Sequence, residues 1–200
     1  MNSFVSVMAR SKDFDEEEIL EKAMSVFWHK GYNGTSMQEL IDALGISRSS
    51  LYDTYGDKHT LYMKTLEFYQ ANGQREMTNI ITNASSAREA VRKLLDLIIN
   101  GLLKDKQHKG CFMVNAEVEV AAHDKEVKDL VCKGDRQIED AFRIAILKGQ
   151  QSNEFSNQLD ALALSRFFLN TVKGIRVSAR STTDKAFFED IVNTTLSVLH

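Results

Sequence analysis

The fourteen residues GISRSSLYDTYGDK, Gly45 to Lys58, decide how the chain is read. Ser47 is the natural N-cap of a helix, because a serine oxygen accepts one of the free N–H groups of a first turn. Ile46 before it and Leu51 four residues after it have the spacing of a hydrophobic staple, which sets the angle at which the chain enters that helix. With Leu51 facing inward, Arg48, Ser49 and Tyr52 project elsewhere and Ser50 lies near the edge. That face suits a duplex. Arg pairs with guanine O6 and N7, Ser bonds phosphates or base edges, and Tyr bonds a phosphate while its ring packs on sugar.

Upstream, Gly45 ends a short helix whose buried stripe is Met37, Leu40, Ile41 and Leu44, and Thr35 followed by Gln38 reads as its capping box. Between Asp15 and Lys30 the pairs Ile19/Leu20, Ala23/Met24 and Phe27/Trp28 recur every four residues, the stripe of an amphipathic helix. Its first turn is acidic, which favours the positive end of the helix dipole, and Gly31 is placed to stop it. One longer helix followed by two short ones across a Gly-containing turn is the pattern of a helix-turn-helix, here about residues 36–55. Asp57 then caps a fourth helix bearing Leu61, Tyr62, Leu66, Phe68 and Tyr69. Lys58 lies in its first turn, where free N–H groups and the dipole favour an anion such as phosphate. Thr35 and Ser36 offer a second such terminus.

The 200 residues contain no proline, where average usage of roughly 5% would give about ten, so continuous helix is expected throughout. Beyond residue 73, Ala87, Val91, Leu94, Leu95 and Ile98 share one stripe, and Val127, Val131, Ile138, Phe142 and Ile146 another. The polar runs ITNASSA, KDKQHKG and KGQQSNEFSN read as connections. The last two helices, about 159–179 and 184–199, are apolar over a wide arc that suits packing against a second copy.

The chain carries 43% hydrophobic and 26% charged residues and a net charge of -3, ordinary for a globular protein. Residues 1 to 64 hold seven Lys/Arg against ten Asp/Glu, the reverse of a general basic footprint, but six of those acids fall between Asp13 and Glu21. From Leu44 to Lys64 there are three basic and two acidic residues, so DNA affinity is expected to be modest without sequence recognition and strongly salt dependent. No apolar run reaches the roughly 20 residues that cross a bilayer. The start MNSFVSVMAR does not read as a signal peptide, and Met8 is a second candidate start. Two cysteines, Cys111 and Cys132, point to a reducing, cytoplasmic setting without disulfides or membrane association.

At this point the run from Phe14 to Tyr62 resembles the N-terminal domain of the TetR family of bacterial transcriptional regulators. The pattern that carries it is an amphipathic first helix, then GY..TS...L, GIS...LY and GDK..LY; the later stretch GCFMVNAEVEVA looks like a subset of the same family. The resemblance implies an all-α fold, with a helix-turn-helix domain at 13–73 and a ligand-binding and dimerisation domain at 74–200. It implies a homodimer formed through the last two helices, double-stranded operator DNA as partner, and a small-molecule effector that releases a repressor from a palindromic site. Residue by residue, Thr35 and Ser36 match phosphate-contacting positions, Ser47, Arg48, Ser49 and Ser50 match the reading end of the recognition helix, and Tyr52 and Lys58 match backbone clamps. Asp53, Thr54 and Tyr55 depart from the aromatic-His-Phe sequence common after the LY, and Asp53 adds a charge that phosphate repels.

Phe68, Cys111, Phe112, Met113, Phe142, Phe167 and Phe168 are candidates to line the effector pocket. Cys111, after Gly110 at an expected helix start, also supports an alternative as a thiol-based sensor of oxidants or electrophiles, acting through the same scaffold or on a protein partner. His108, Cys111, His123 and Cys132 lack the paired spacing of a zinc site. There is no Gly-rich phosphate loop, GxSxG elbow or HExxH, so neither a cofactor nor an enzyme is expected. Three classes stay open on residues alone: a DNA-binding repressor, a helical sensor acting on a protein, and a helical enzyme of unrecognised type.

Overall fold

The computed structural model describes residues 15–200, and the choice between Met1 and Met8 and the domain start at residue 13 lie outside them. Among the described residues the secondary structure is nine α-helices: α1 (Glu16–Lys30), α2 (Met37–Leu44), α3 (Arg48–Tyr55), α4 (Lys58–Asn83), α5 (Ala87–Lys104), α6 (Phe112–Glu119), α7 (Lys125–Gln151), α8 (Ala161–Ser178) and α9 (Lys185–Ser197).

The ends of the first helices follow from local chemistry. Asp15 caps α1 by accepting the Glu17 N–H at 2.9 Å. Gly45 ends α2 in the left-handed conformation, with φ 67° and ψ 24°, which a residue with a Cβ adopts only at a cost. Ser47 caps α3 by accepting the Ser50 N–H at 3.1 Å, and Asp57 caps α4 by accepting the Thr60 N–H at 2.7 Å. The expected capping box at Thr35 and Gln38 is corrected by one residue. Ser36 is the cap, accepting the Glu39 N–H at 3.2 Å, while the Glu39 carboxylate accepts the Ser36 N–H at 2.8 Å. Thr35 turns inward instead, buried, its hydroxyl donating to the Gly31 carbonyl at 2.7 Å.

Two buried clusters organise the helices. The first gathers α1, α2, α3 and the first part of α4, and it also takes in Phe112 and Ala116 of α6 and Val127, Leu130 and Val131 of α7. The second joins α5, most of α7, α8 and α9 around Leu94, Phe142, Phe168 and Phe188. Each fully buried Leu or Phe contributes about 1.5–3 kcal/mol. α4 runs unbroken through residue 73, so the division suggested by sequence falls inside a helix, and the core under the helix-turn-helix is completed by residues some fifty positions later. Among the described residues no helix is long and apolar enough to cross a membrane.

Candidate nucleic-acid interface and effector cavity

α3 sits on the surface of the first cluster, held from below by Leu51 and Tyr55, both buried. Its outer face carries Arg48, Ser49, Tyr52 and Asp53, all exposed. The Ser47 hydroxyl lies 2.9 Å from those of both Ser49 and Ser50, so three small hydroxyls cluster at the helix start. Arg48 donates through Nη2 to Oε1 of Gln38 at 3.2 Å, and Gln38 donates to Asp42 at 2.8 Å. A bridge of side chains therefore spans α2 and α3 on the exposed side and uses one of the five guanidinium donors.

Two predicted phosphate contacts are occupied within the protein. Besides Thr35, whose hydroxyl is turned to Gly31, Lys58 is half-buried and donates to the carbonyls of Tyr32 and Thr35, each at 2.9 Å, with its ammonium 4.3 Å from the Tyr32 ring centroid. Lys58 ties the α1–α2 loop to the start of α4 because those carbonyls, outside any helix ladder, need donors. Ser36, Ser47, Ser49, Ser50, Arg48 and Tyr52 remain on the exposed side.

The segments flanking the helix-turn-helix are tied at three places to the stretch from Gly110 to the cap of α7. The Glu119 carboxylate accepts the N–H groups of Tyr32 at 3.1 Å and Asn33 at 2.8 Å. It fits because Gly31 leaves room: a Cβ there would lie 2.6 Å from Glu119 Oε2. His59 Nε2 lies 2.7 Å from Oδ2 of Asp124, which also caps α7. Trp28 donates its indole N–H to the Gly110 carbonyl at 3.1 Å. Rings of Phe27, Tyr62, Phe112, Trp28 and Tyr69 pack at centroid distances of 5.0–5.9 Å in a continuous aromatic chain from α1 through α4 to α6, each pair contributing about 0.5–1.5 kcal/mol beyond burial.

A cavity of about 320 Å³ opens behind that chain, bounded by α4, α5, the start of α6, α7 and α8. Trp28, Met77, Ile98, Leu102, Met113 and Ile138 supply apolar wall; Tyr69, Cys111, Arg176, the amides of Gln70, Asn72, Gln74 and Gln137, and the acids Glu76, Asp105 and Asp135 supply the polar part. The Tyr69 hydroxyl lies 3.6 Å from the Cys111 sulfur. Burial, and next the Cys111 sulfur, push the Tyr69 phenol well above its usual pKa, so it stays protonated. Burial opposes the Arg176 charge, but Cys111, Tyr69 and Asp135 outweigh it and raise its pKa.

Of the residues expected to line a pocket, only Cys111 and Met113 are on this wall. Phe112, Phe142 and Phe168 are at most 1% exposed, so core packing takes all their surface. Phe68 borders a shallow groove between α1 and α4 with Leu20, and Phe167 is 45% exposed on the outside of α8. Apolar stripes mark what a bundle packs on itself, and a cavity lies where those stripes are interrupted.

Residues 19–63 match the family model for bacterial regulatory proteins of the tetR family, and residues 87–195 match the model for a tetracyclin repressor-like C-terminal domain. The HTH-type transcriptional regulator YezE of Bacillus subtilis is 33% identical over 96% of this chain and 100% of its own length. The chain belongs to the TetR family. The HTH-type transcriptional repressor ComR of Escherichia coli is 24% identical over 94% of this chain and 90% of its own. Among solved structures, a cysteine mutant of the TetR-family regulator CifR complexed with 26-bp double-strand operator DNA superposes with a TM-score of 0.84, at 27% identity, over 96% of this chain and 100% of that one.

This TetR-family chain is therefore a DNA-binding transcription regulator with an all-helical fold. Sequence reasoning missed Gln38 and Asp42, which hold Arg48, and Glu119, Asp124 and Arg176. The first two had a signal in their i, i+4 spacing on α2. The others act across 65 to 87 positions of sequence, or line a cavity that no periodicity announces.

Proposed function

We propose that the protein is a cytoplasmic dimeric repressor, without enzymatic activity, that seats α3 in the major groove of a palindromic operator and leaves it when a small molecule enters the cavity. The observation that supports this most is the face of α3. Arg48, Ser49 and Tyr52 stand free of the core on a helix capped at its start and anchored from below, so a base-reading surface is held rigid at no further ordering cost. The first-turn N–H groups of α2 and the Ser36 hydroxyl lie where a flanking phosphate would dock.

The division into a reading domain, about 13–73, and an effector and dimerisation domain, about 74–200, is functional and not a break in the chain. α6 starts at the cavity wall beside Cys111 and ends at Glu119, which grips the loop before α2. A ligand that shifts α6 would move the reading heads of a dimer out of register.

Dimerisation through α8 and α9 draws on their outer faces. Phe167 and Val177 are exposed on α8 and Phe187 on α9, and Gly174 lies between the first two with nothing among the described residues within 4 Å of where its Cβ would be. A mid-helix glycine costs about 0.5–1 kcal/mol relative to alanine, and nothing in the protomer requires it; close approach by a partner helix would.

A shift assay on the DNA upstream of the protein's own gene tests the proposal: a discrete complex that Arg48→Ala abolishes supports it, and equal affinity for unrelated duplexes counts against it. Iodoacetamide tests the thiol alternative, which draws on Cys111 in the cavity wall; labelling that leaves the complex intact removes it.

A further inference from the structure

Resting on the reading of the cavity as the effector site, we propose that its ligand is a small organic anion, a carboxylate or its isostere on an apolar body of about ten to fifteen non-hydrogen atoms, held by Arg176 and Tyr69.

The volume sets the size. About 320 Å³ is room for on the order of ten waters at about 30 Å³ each, near the lower end for ligand sites. The guanidinium sets the charge. Arg176 comes from the last turn of α8, is part-buried, and lines the cavity wall. Among the described residues its guanidinium makes no hydrogen bond and has no carboxylate within 4 Å. A guanidinium presents five donors in a fork that matches a carboxylate, and this one is part-buried at a cavity with its donors unused, so an oxygen-rich anion is the complement of this wall.

The neighbouring acids are already engaged. Asp135 is held by Lys173 at 2.6 Å, and the same ammonium bonds Glu117 at 2.9 Å. Asp105 accepts the backbone N–H groups of Gln107 and Lys109, while Glu76 is exposed at the rim. Lys173 thus answers Glu117 and Asp135, while among the described residues the Arg176 guanidinium has no direct partner. Tyr69, protonated and with its hydroxyl near Cys111, is the second donor at that end. Met77, Ile98, Leu102 and Ile138 give the body of the ligand an apolar wall, beside the amides of Gln70, Asn72, Gln74 and Gln137.

Trp28, the one tryptophan in the chain, borders the cavity and reports occupancy by its fluorescence. The full-length protein is titrated with octanoate and phenylacetate, and in parallel with octanamide, phenylacetamide and octylamine. At least one acid is expected to bind ten-fold or more tightly than its amide, with Arg176→Gln removing that advantage and Tyr69→Phe reducing it; thermal transitions of both variants report folding. Amides or the amine binding as well as the acids to the native protein would overturn the inference, as would an acid preference that survives in a folded Arg176→Gln. The same compounds are added to the operator complex. Acid binding without DNA release would leave this assignment standing and remove the effector reading, whereas release by the amides or the amine alone would do the reverse.

Discussion

The Glu119 carboxylate accepts the Asn33 backbone N–H at 2.8 Å, joining the last turn of α6 to the loop that enters α2. The Tyr32 N–H meets the same carboxylate, and the Lys58 ammonium meets the carbonyls of Tyr32 and Thr35, so one short loop is held from both sides. Hydrogen bonds to a charged group contribute about 1.5–3 kcal/mol each when formed. Glu119→Ala is therefore expected to lower stability by about 2–3 kcal/mol and to reduce ligand-driven release, read by denaturant unfolding and by operator titration with and without ligand. Full release by ligand in a folded Glu119→Ala would place the coupling elsewhere.

Arg48 and Lys58 separate into different roles. Arg48→Ala is expected to relax base preference and weaken operator binding by about 1–3 kcal/mol. Lys58→Ala removes two donors from internal carbonyls and is expected to lower the thermal midpoint of the protein while changing the salt dependence of DNA binding little. Binding isotherms at several salt concentrations, beside thermal melts, tell the two apart.

Tyr55 is buried, and among the described residues its hydroxyl has no hydrogen-bond partner. Burial, with Glu16 adding to it, pushes its pKa up to about 12. Tyr55→Phe removes an unmet polar group while keeping the ring, and should raise stability by about 1 kcal/mol. A loss of that size in calorimetry would mean that the hydroxyl has a partner in solution.

Glu39 titrates far below its ordinary value, at about 2, held first by Lys30 and then by the N–H and hydroxyl of Ser36. A depressed carboxylate stabilises the fold above its unfolded value of 4.5, and that contribution is lost as pH falls toward about 2. Glu39→Gln is expected to flatten the fall in thermal midpoint between those limits, with little change in its slope above pH 5.

Gly174→Leu is expected to raise the dimer dissociation constant at least ten-fold, because its side chain enters space that is open in the protomer and closed by a partner helix. The helix itself gains propensity. Sedimentation equilibrium decides it, and an unchanged dimer would move the interface off this face of α8.

What could be read from sequence was what depends on neighbours a few residues apart. The stripe of α1, the Gly45 turn, the Ser47 cap and the Ile46/Leu51 pair all stand in the fold as their spacing implies, and the family resemblance rested on the same positions. The cap of α2 was one residue off because Thr35 and Ser36 are both able to cap, and only burial of Thr35 chooses between them. Lys58 reads as a phosphate contact from its place in a first turn, and the carbonyls it also meets, 23 and 26 residues earlier, lie beyond any local spacing. The cavity proposed for the effector was the least legible part. Arg176, one of three cations on α8 with Arg166 and Lys173, carries no spacing that marks it as facing a cavity.

The most direct test is selection of bound duplexes from a random pool with the purified protein at low ionic strength. The account predicts an inverted repeat whose half-sites lie about 34–36 Å apart or a multiple of it, lost when Arg48 is replaced by Ala. Recovery of no enriched sequence, or of a motif without two-fold symmetry, would contradict it.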